Sequence, residues 1–469
     1  MHFSTEMRWL RPSSPFVKWS KTVTRFYSTP PHPPLDPSFF PPGPRLWGWF
    51  SVDEEKTPNY NSRNFYPAEP GQVVGDHYQL YTKTGWGPSS TSWLALDLNK
   101  GHGYNVIVKI HNIGHDTSRQ RRLEGLINKA DPYRHGAHAF LTFNDSFTVS
   151  GPEGDHQCMV YDNITRDSMA RYMMRLKGGV FSPVQVKLYL RFLLKGLRFL
   201  HEECGIVHGN LTRDNILMSL EDKSAMTDYI TKQIDHPMPS RIDATGRRVY
   251  KSRYDLGPLR KPCNQPGNWI NSLPLMSDFE LSAHLPPGQP GLYPIQADGN
   301  RAPEVILGCG WDTKADIWNL GVLIWRMMQI TPLFPLISNL LRGHYDARAH
   351  LAQMISLLGP PPRDVALLSN SMISYQWPFS VMTDRGVAAD STAKYFQGPF
   401  FNDDGKFLFP DLVTGNSSLA STVKALRGPE ETEAFLSFVS GMLTWRPEDR
   451  KTARELLKHP FLNSQDMDS

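Results

Sequence analysis

His208-Gly209-Asn210-Leu211-Thr212-Arg213-Asp214-Asn215 is the stretch on which the reading of this chain turns. Its side chains set firm limits on chemistry. Asn210 carries an amide, whose oxygen accepts hydrogen bonds but takes up no proton near neutral pH. Thr212 carries a hydroxyl on a short stem, which cannot bring positive charge to a migrating anionic group. Arg213 is a cation that could swing its guanidinium toward such a group, and Asp214 is a carboxylate open to a cationic partner. Asn215 offers an amide oxygen, a donor that hard cations accept.

Around this loop the composition is that of a globular protein. The 469 residues are 40% hydrophobic, enough for one large two-lobed domain or two smaller ones, and 39 prolines point to long irregular connections. Against 46 acidic residues stand 50 basic ones, a net charge of +4 that is too mild to argue for nucleic-acid binding, and none is expected. Cys158, Cys204, Cys263 and Cys309 are scattered, with no CxxC pair and no zinc spacing, so reduced structural thiols are expected. The best apolar run, 317–330, is broken by Asn319, Gly321 and Arg326 and cannot span a bilayer. Residues 1–34 hold Arg8, Arg11, Lys18, Lys21 and Arg25 against Glu6, the composition of a mitochondrial transit peptide, and Arg25-Phe26-Tyr27-Ser28 is similar to a presequence-processing site. Pro12 and Pro15 interrupt any amphipathic helix there, so a disordered basic tail accounts for the same residues equally well.

Residues 30–44 are dense in proline and read as an extended linker. Residues 1–65 are therefore taken as a basic, then proline-rich extension, with folded structure from about Tyr66 to Leu462 and a tail at 463–469. Segments 78–98 and 104–110 are aromatic and β-branched and predict strands; 119–129 predicts a helix and 156–161 a buried strand. Ser182 and Pro183 then open a strongly helical pattern in Val186, Tyr189, Leu190, Leu193, Leu194, Leu197 and Leu200. Residues 316–328, apolar nearly all round, predict a buried helix. Thr452-Ala453-Arg454-Glu455 is a capping box for a last helix that stops at Pro460. Strands first and helices afterwards give an α+β fold of two lobes, a small antiparallel-sheet lobe over 66–164 and a larger helical lobe over 165–462. Residues 221–274, polar and rich in Pro, Arg and Asp, are expected to be an irregular surface insertion.

Further residues with chemical capacity fall in a fixed order along this frame. Gly85-Trp86-Gly87-Pro88-Ser89-Ser90 lies between two predicted strands, where Gly85 and Gly87 let backbone N–H groups approach a ligand closely. Pro88 offers no N–H there. Lys109 ends the run Val106-Ile107-Val108-Lys109, and Glu124 sits on the helix that follows. In Ser277-Asp278-Phe279-Glu280, Asp278 can share a hard cation with Asn215, while Glu280 adds a negative charge close by. Arg301-Ala302-Pro303-Glu304 resembles the A-P-E motif of protein kinases, and that resemblance implies Arg450 as the buried partner of Glu304 and a hydrogen bond from Asp316 to the backbone of the 208–215 loop.

These motifs, in this order, resemble those of eukaryotic protein kinases, and specifically the SR-protein kinase family in its fungal forms. The resemblance rests on Gly85-Trp86-Gly87 with Ser90-Thr91 and Trp93-Leu94, on Cys158-Met159-Val160-Tyr161, and on His201-Glu202-Glu203-Cys204-Gly205-Ile206-Val207-His208. It rests also on Trp311-Asp312-Thr313-Lys314-Ala315-Asp316-Ile317-Trp318-Asn319-Leu320-Gly321, and it spans residues 66 to 462. It implies the two-lobed kinase fold, with ATP and Mg2+ as cofactors and phosphate transfer to serines in Arg/Ser-rich segments of a protein substrate. Gly85 and Gly87 then belong to the loop over the phosphates; Lys109 holds the α and β phosphates and pairs with Glu124. Tyr161 guards the back of the nucleotide pocket, Asp162 to Ile164 form the hinge against adenine, and Asn215 and Asp278 hold magnesium.

The same resemblance marks Asn210 and Thr212 as degenerate, since the family pattern has the hydroxyl-orienting Asp and a Lys at these positions. Ser92 stands where an apolar residue usually covers adenine, so weakened nucleotide affinity is expected. Gly209 replaces an arginine that reads a phosphate, and residues 281–300 offer only Ser282 and Tyr293 as acceptors, in keeping with activity that needs no activation-loop phosphorylation. Residues 336–358 hold Asp346 as their only acid, which argues against a strongly basic substrate. Two readings stand: a kinase whose phosphotransfer is impaired by Asn210 and Thr212, or a pseudokinase that serves as an interaction scaffold with nucleotide as an optional ligand. A monomer is expected, located in cytoplasm or nucleus by family or in the mitochondrion if residues 1–34 are an address.

Overall fold

The computed structural model describes residues 32–463, except 49–50, 58–59, 102, 132, 134–135, 163–165, 220–223, 254–271, 338–343, 416–417, 424–425 and 427. The transit-peptide reading of the N-terminus, Ile164 and Cys263 therefore lie outside the described residues. Antiparallel strands β1 (Val73–Val74), β2 (Tyr78–Trp86), β3 (Ser90–Asp97), β4 (Asn105–His111), β5 (Phe143–Gly151) and β6 (Gly154–Asp162) form one sheet in the order β1-β2-β3-β4-β6-β5. In β4 the pleat buries Val106, Val108 and Ile110 on one face and turns Ile107 and Lys109 to the other. Helix α1 (Ser118–Lys129) packs Leu123 and Ile127 against Phe199, Leu200, Ile206 and Phe279, which ties it to the second lobe.

That lobe is helical. After β7 (Arg166–Ser168) and α2 (Met169–Met174), α3 (Pro183–Glu202) starts where the sequence predicts. The Ser182 hydroxyl accepts from Gln185 N–H at 3.4 Å, and the Gln185 side chain accepts from Ser182 N–H at 3.1 Å. Residues Leu190, Leu194 and Leu197 then join Trp318 and Trp325 of the Lys314–Met328 helix in one continuous core. β8 (Ile206–Val207) and β9 (Ile216–Ser219) bracket the 208–215 loop. The final capping box forms as expected, but its helix is a single turn, Ala453–Leu456, followed by another at Pro460–Asn463. Among the described residues, no helix is long and apolar enough to cross a membrane.

Two expectations require correction. Folded structure begins well before Tyr66: Leu35 N–H donates to Gln79 at 2.7 Å, and Leu46 N–H to the Ser240 carbonyl at 2.8 Å. The reason lies in β2, where Lys83 is fully buried and its ammonium must be neutralised; Asp53 (3.2 Å) and Glu54, themselves buried, supply the charge. Nor is 221–274 merely irregular surface chain. Helix α4 (Ser224–Asp235) buries Met226 and Tyr229 against Leu94 of the sheet, and the hairpin of β10 (Ser240–Ile242) with β11 (Arg248–Tyr250) sets Arg247 2.9 Å from Glu54. The extension and the insertion thus clasp the small lobe together.

Candidate active site

Strand pairing brings the distant motifs together. β12 (Pro274–Met276) runs antiparallel to β9, so the loop residue Asn215 lies beside Ser277, whose N–H donates to the Asn215 carbonyl at 2.9 Å. The next residue, Asp278, adopts φ +66°, the left-handed region. Short polar side chains tolerate it better than most, and it turns the chain at the cavity. A cavity of about 610 Å³ opens between the lobes, in the size range of small-molecule sites. Of the candidate site residues, Gly85, Gly87, Lys109, Tyr161, Asn210, Asn215 and Asp278 line it, whereas Glu124, Asp162, Thr212 and Arg213 do not.

Three details depart from expectation. Lys109 does not pair with Glu124. Its ammonium lies 3.4 Å from Asp278 and 3.5 Å from Glu280. Burial works against that charge, but the two carboxylates outweigh it and hold the lysine above its ordinary pKa. Glu124 instead accepts hydrogen bonds from Gln120 (2.7 Å), from Phe143 N–H (2.7 Å) and from the Tyr161 hydroxyl (3.3 Å). Burial dominates there and pushes its pKa up to about 7.

The second departure is Arg213, which does not line the cavity; its charge acts on Arg326 instead, adding to the burial that lowers that guanidinium's pKa. The third concerns residues that sequence reading passed over. Arg171 of α2 lines the cavity and pairs with Asp167 at 3.4 Å, and Met226, Tyr229 and Arg253 reach it from the insertion. The Asp167–Arg171 spacing of four, next to the capping Ser168, was a legible sign of the first pair. Nothing in the insertion's own sequence marked the others.

The 208–215 loop is held by the buried helix, as anticipated. Asp316 accepts from His208 N–H (2.7 Å) and Gly209 N–H (2.8 Å), and His201 lies 2.8 Å from the same carboxylate. Gly209 sits at φ +74°, where a Cβ would come within 2.8 Å of the Leu281 carbonyl, so a larger residue is strained there. Asn210 Oδ1 accepts from Ala297 N–H at 3.1 Å, and the Thr212 hydroxyl turns back to accept from Asn215 N–H at 3.3 Å. Glu304 and Arg450 form the expected buried bidentate pair, at 2.7 and 2.6 Å. Asp162, the last residue of β6, accepts from the Tyr104 hydroxyl at 2.8 Å.

Comparison with known proteins gives this geometry its context. The protein kinase domain family profile matches residues 271–462. A serine/threonine protein kinase of Aspergillus fumigatus is 31% identical over 94% of this chain and 98% of its own length, and the serine/threonine-protein kinase SRPK of Physarum polycephalum is 26% identical over 88% and 92%. The chain belongs to the SRPK-like serine/threonine protein kinases. A solved kinase-domain crystal structure, at 19% identity and a TM-score of 0.58 over 86% of this chain and all of that one, shares the fold of this kinase. The family uses ATP and Mg2+. The residues of this SRPK-like cleft fit such a ligand: Asp278 and Asn215 supply the oxygen donors that a hard cation takes, and Lys109 the charge that a phosphate needs.

Proposed function

We propose that this kinase domain binds magnesium ATP through Gly85, Gly87, Lys109, Asn215 and Asp278, with Tyr161 at the back of the pocket, and transfers phosphate to protein serines poorly. The observation that carries the proposal is Asn210. Its amide oxygen already accepts from Ala297 N–H and is no base near neutral pH, and its amide nitrogen can only donate, so position 210 offers a substrate hydroxyl no group that takes up its proton. General-base assistance is worth roughly 10²–10⁴ in rate, and Thr212, bound back onto its own turn, supplies no charge in compensation. A loose phosphoryl transition state asks little of a base, which leaves room for a residual rate.

Relatives named SRPK and SRSF protein kinase 3 support serines of Arg/Ser-rich proteins as the substrate class. Asp214, exposed at the cavity, is a carboxylate available to a substrate arginine, whereas Asp346 is spent on capping its helix and on Arg348 at 2.8 Å. Independence of activation-loop phosphorylation is supported by Ser282, which is buried and donates to the His208 carbonyl at 2.7 Å, and by Tyr293, which packs edge-on against Trp311. A scaffold role with little or no turnover is the second reading. It is favoured by the survival of the Glu304–Arg450 and Asp316 contacts beside substituted catalytic positions.

Binding is tested by thermal melts with and without millimolar Mg-ATP. A ligand selective for the native state raises its apparent stability, by about 1.4 kcal/mol at ten times Kd. Wild type is expected to shift upward and Lys109→Ala to shift much less. Identical, unshifted melts for both proteins would reject the proposal.

A further inference from the structure

We infer that the Glu280 carboxylate sets the ligand selectivity of the cleft by holding its phosphate end, so that the site discriminates against nucleotides in proportion to their phosphate charge. The inference rests on the proposed nucleotide binding and specifies it. Glu280 Oε1 accepts from the Ser89 hydroxyl at 3.0 Å, and Oε2 lies 3.5 Å from Lys109 Nζ. His115 Nε2 is 3.8 Å from the same carboxylate. These groups come from three separate elements: the glycine-containing hairpin between β2 and β3, the strand β4, and the turn before α1. One side chain therefore bridges the hairpin that would fold over phosphates and the lysine that would bind them.

The arrangement is fixed from behind. Arg119 donates to the Glu280 backbone carbonyl at 2.6 Å, so the main chain is held whatever the side chain does. The acid that could have drawn Lys109 elsewhere, Glu124, is occupied by Gln120, Phe143 and Tyr161. A polyphosphate entering the cleft needs Lys109 and the hairpin, and so must displace the carboxylate or lie beside it as a like charge. A nucleoside without phosphates makes neither demand, because the apolar part of the cavity, with Leu94, Ile107 and Leu217, is lined independently of Glu280.

The test is calorimetric titration of the full chain and its Glu280→Gln variant with adenosine, Mg-ADP and Mg-ATP. Glutamine keeps the shape of the side chain and the Arg119 contact while removing the charge. The expected result is an adenosine affinity unchanged by the substitution, a smaller gain for Mg-ADP, and a gain of about five- to tenfold for Mg-ATP. Ser89→Ala, which frees the hairpin alone, provides a second route and should raise Mg-ATP affinity by about twofold. Equal Mg-ATP affinity in wild type and Glu280→Gln overturns the inference and leaves nucleotide binding standing. So does a loss in the variant, which would make Glu280 a metal ligand. Failure of all three ligands to bind either protein overturns the nucleotide reading and the inference with it.

Discussion

Glu124→Gln offers a quantitative test of the altered lysine pairing. In an active-type arrangement a lysine partner would hold this carboxylate ionised, whereas here burial raises it from an ordinary 4.5 to about 7. The folded state then binds a proton that the unfolded chain has released, so stability from this group is fully present below about pH 4.5 and is lost as pH rises through 7. The gap corresponds to roughly 3 kcal/mol, at about 1.4 kcal/mol per pH unit. Glutamine can keep the carbonyl that accepts from Phe143 N–H, and its new NH2 can meet Gln120 Oε1, a buried acceptor that has no partner in the native arrangement. The variant therefore escapes the loss. Urea unfolding of both proteins at pH 5 and pH 8, without nucleotide, should show Glu124→Gln gaining roughly 2.5 kcal/mol on wild type between the two, since part of the loss has already occurred by pH 5. A difference that does not change with pH would refute the reasoning and imply that Glu124 is ionised and paired.

Two other substitutions probe the frame around the site. Arg450→Ala strands the Glu304 carboxylate in the core of the helical lobe and should destabilise it by roughly 3–5 kcal/mol, read as a fall in the urea midpoint. Tyr229→Ala empties the contact of α4 with Leu94 and should cost roughly 3 kcal/mol, while Tyr229→Phe, which keeps the ring and loses the hydroxyl's bond to the Arg253 carbonyl, should cost about 1 kcal/mol. Equal melts for the alanine and phenylalanine variants would show that α4 is not part of the small lobe's core.

Much of this was legible in sequence because it depends on local spacing. The capping box at Ser182, the apolar run of the buried helix and the loop frame from His208 to Asn215 each carry their instruction within a few residues. The Glu304–Arg450 pair and the hold of Asp316 on the loop were also foreseeable, though from the resemblance of these motifs to those of protein kinases rather than from local spacing. What could not be read was choice among partners. Lys109 had Glu124, Asp278 and Glu280 within reach in principle, and only the placement of α1 against Phe199 and Phe279 decides between them. The proline-rich extension failed for a related reason: such chain reads alike whether it is free or packed, and the demand that recruits it comes from a lysine in β2, far along the sequence. Polar composition hid the insertion in the same way, because Met226 and Tyr229 are two apolar residues whose surface lies on another element.

Turnover on an Arg/Ser-rich peptide with Mg-ATP tests the reading of the loop most directly. Aspartate at position 210 could still accept from Ala297 N–H and would have a second oxygen for a substrate hydroxyl, and lysine at 212 would restore the missing charge. Asn210→Asp with Thr212→Lys should therefore raise phosphate transfer well above wild type, with each single change recovering much less, since both groups act in one transition state. Wild-type turnover of about 1 s⁻¹ or faster, within the normal kinase range, would contradict the assignment of Asn210 and Thr212 as the residues that silence the site.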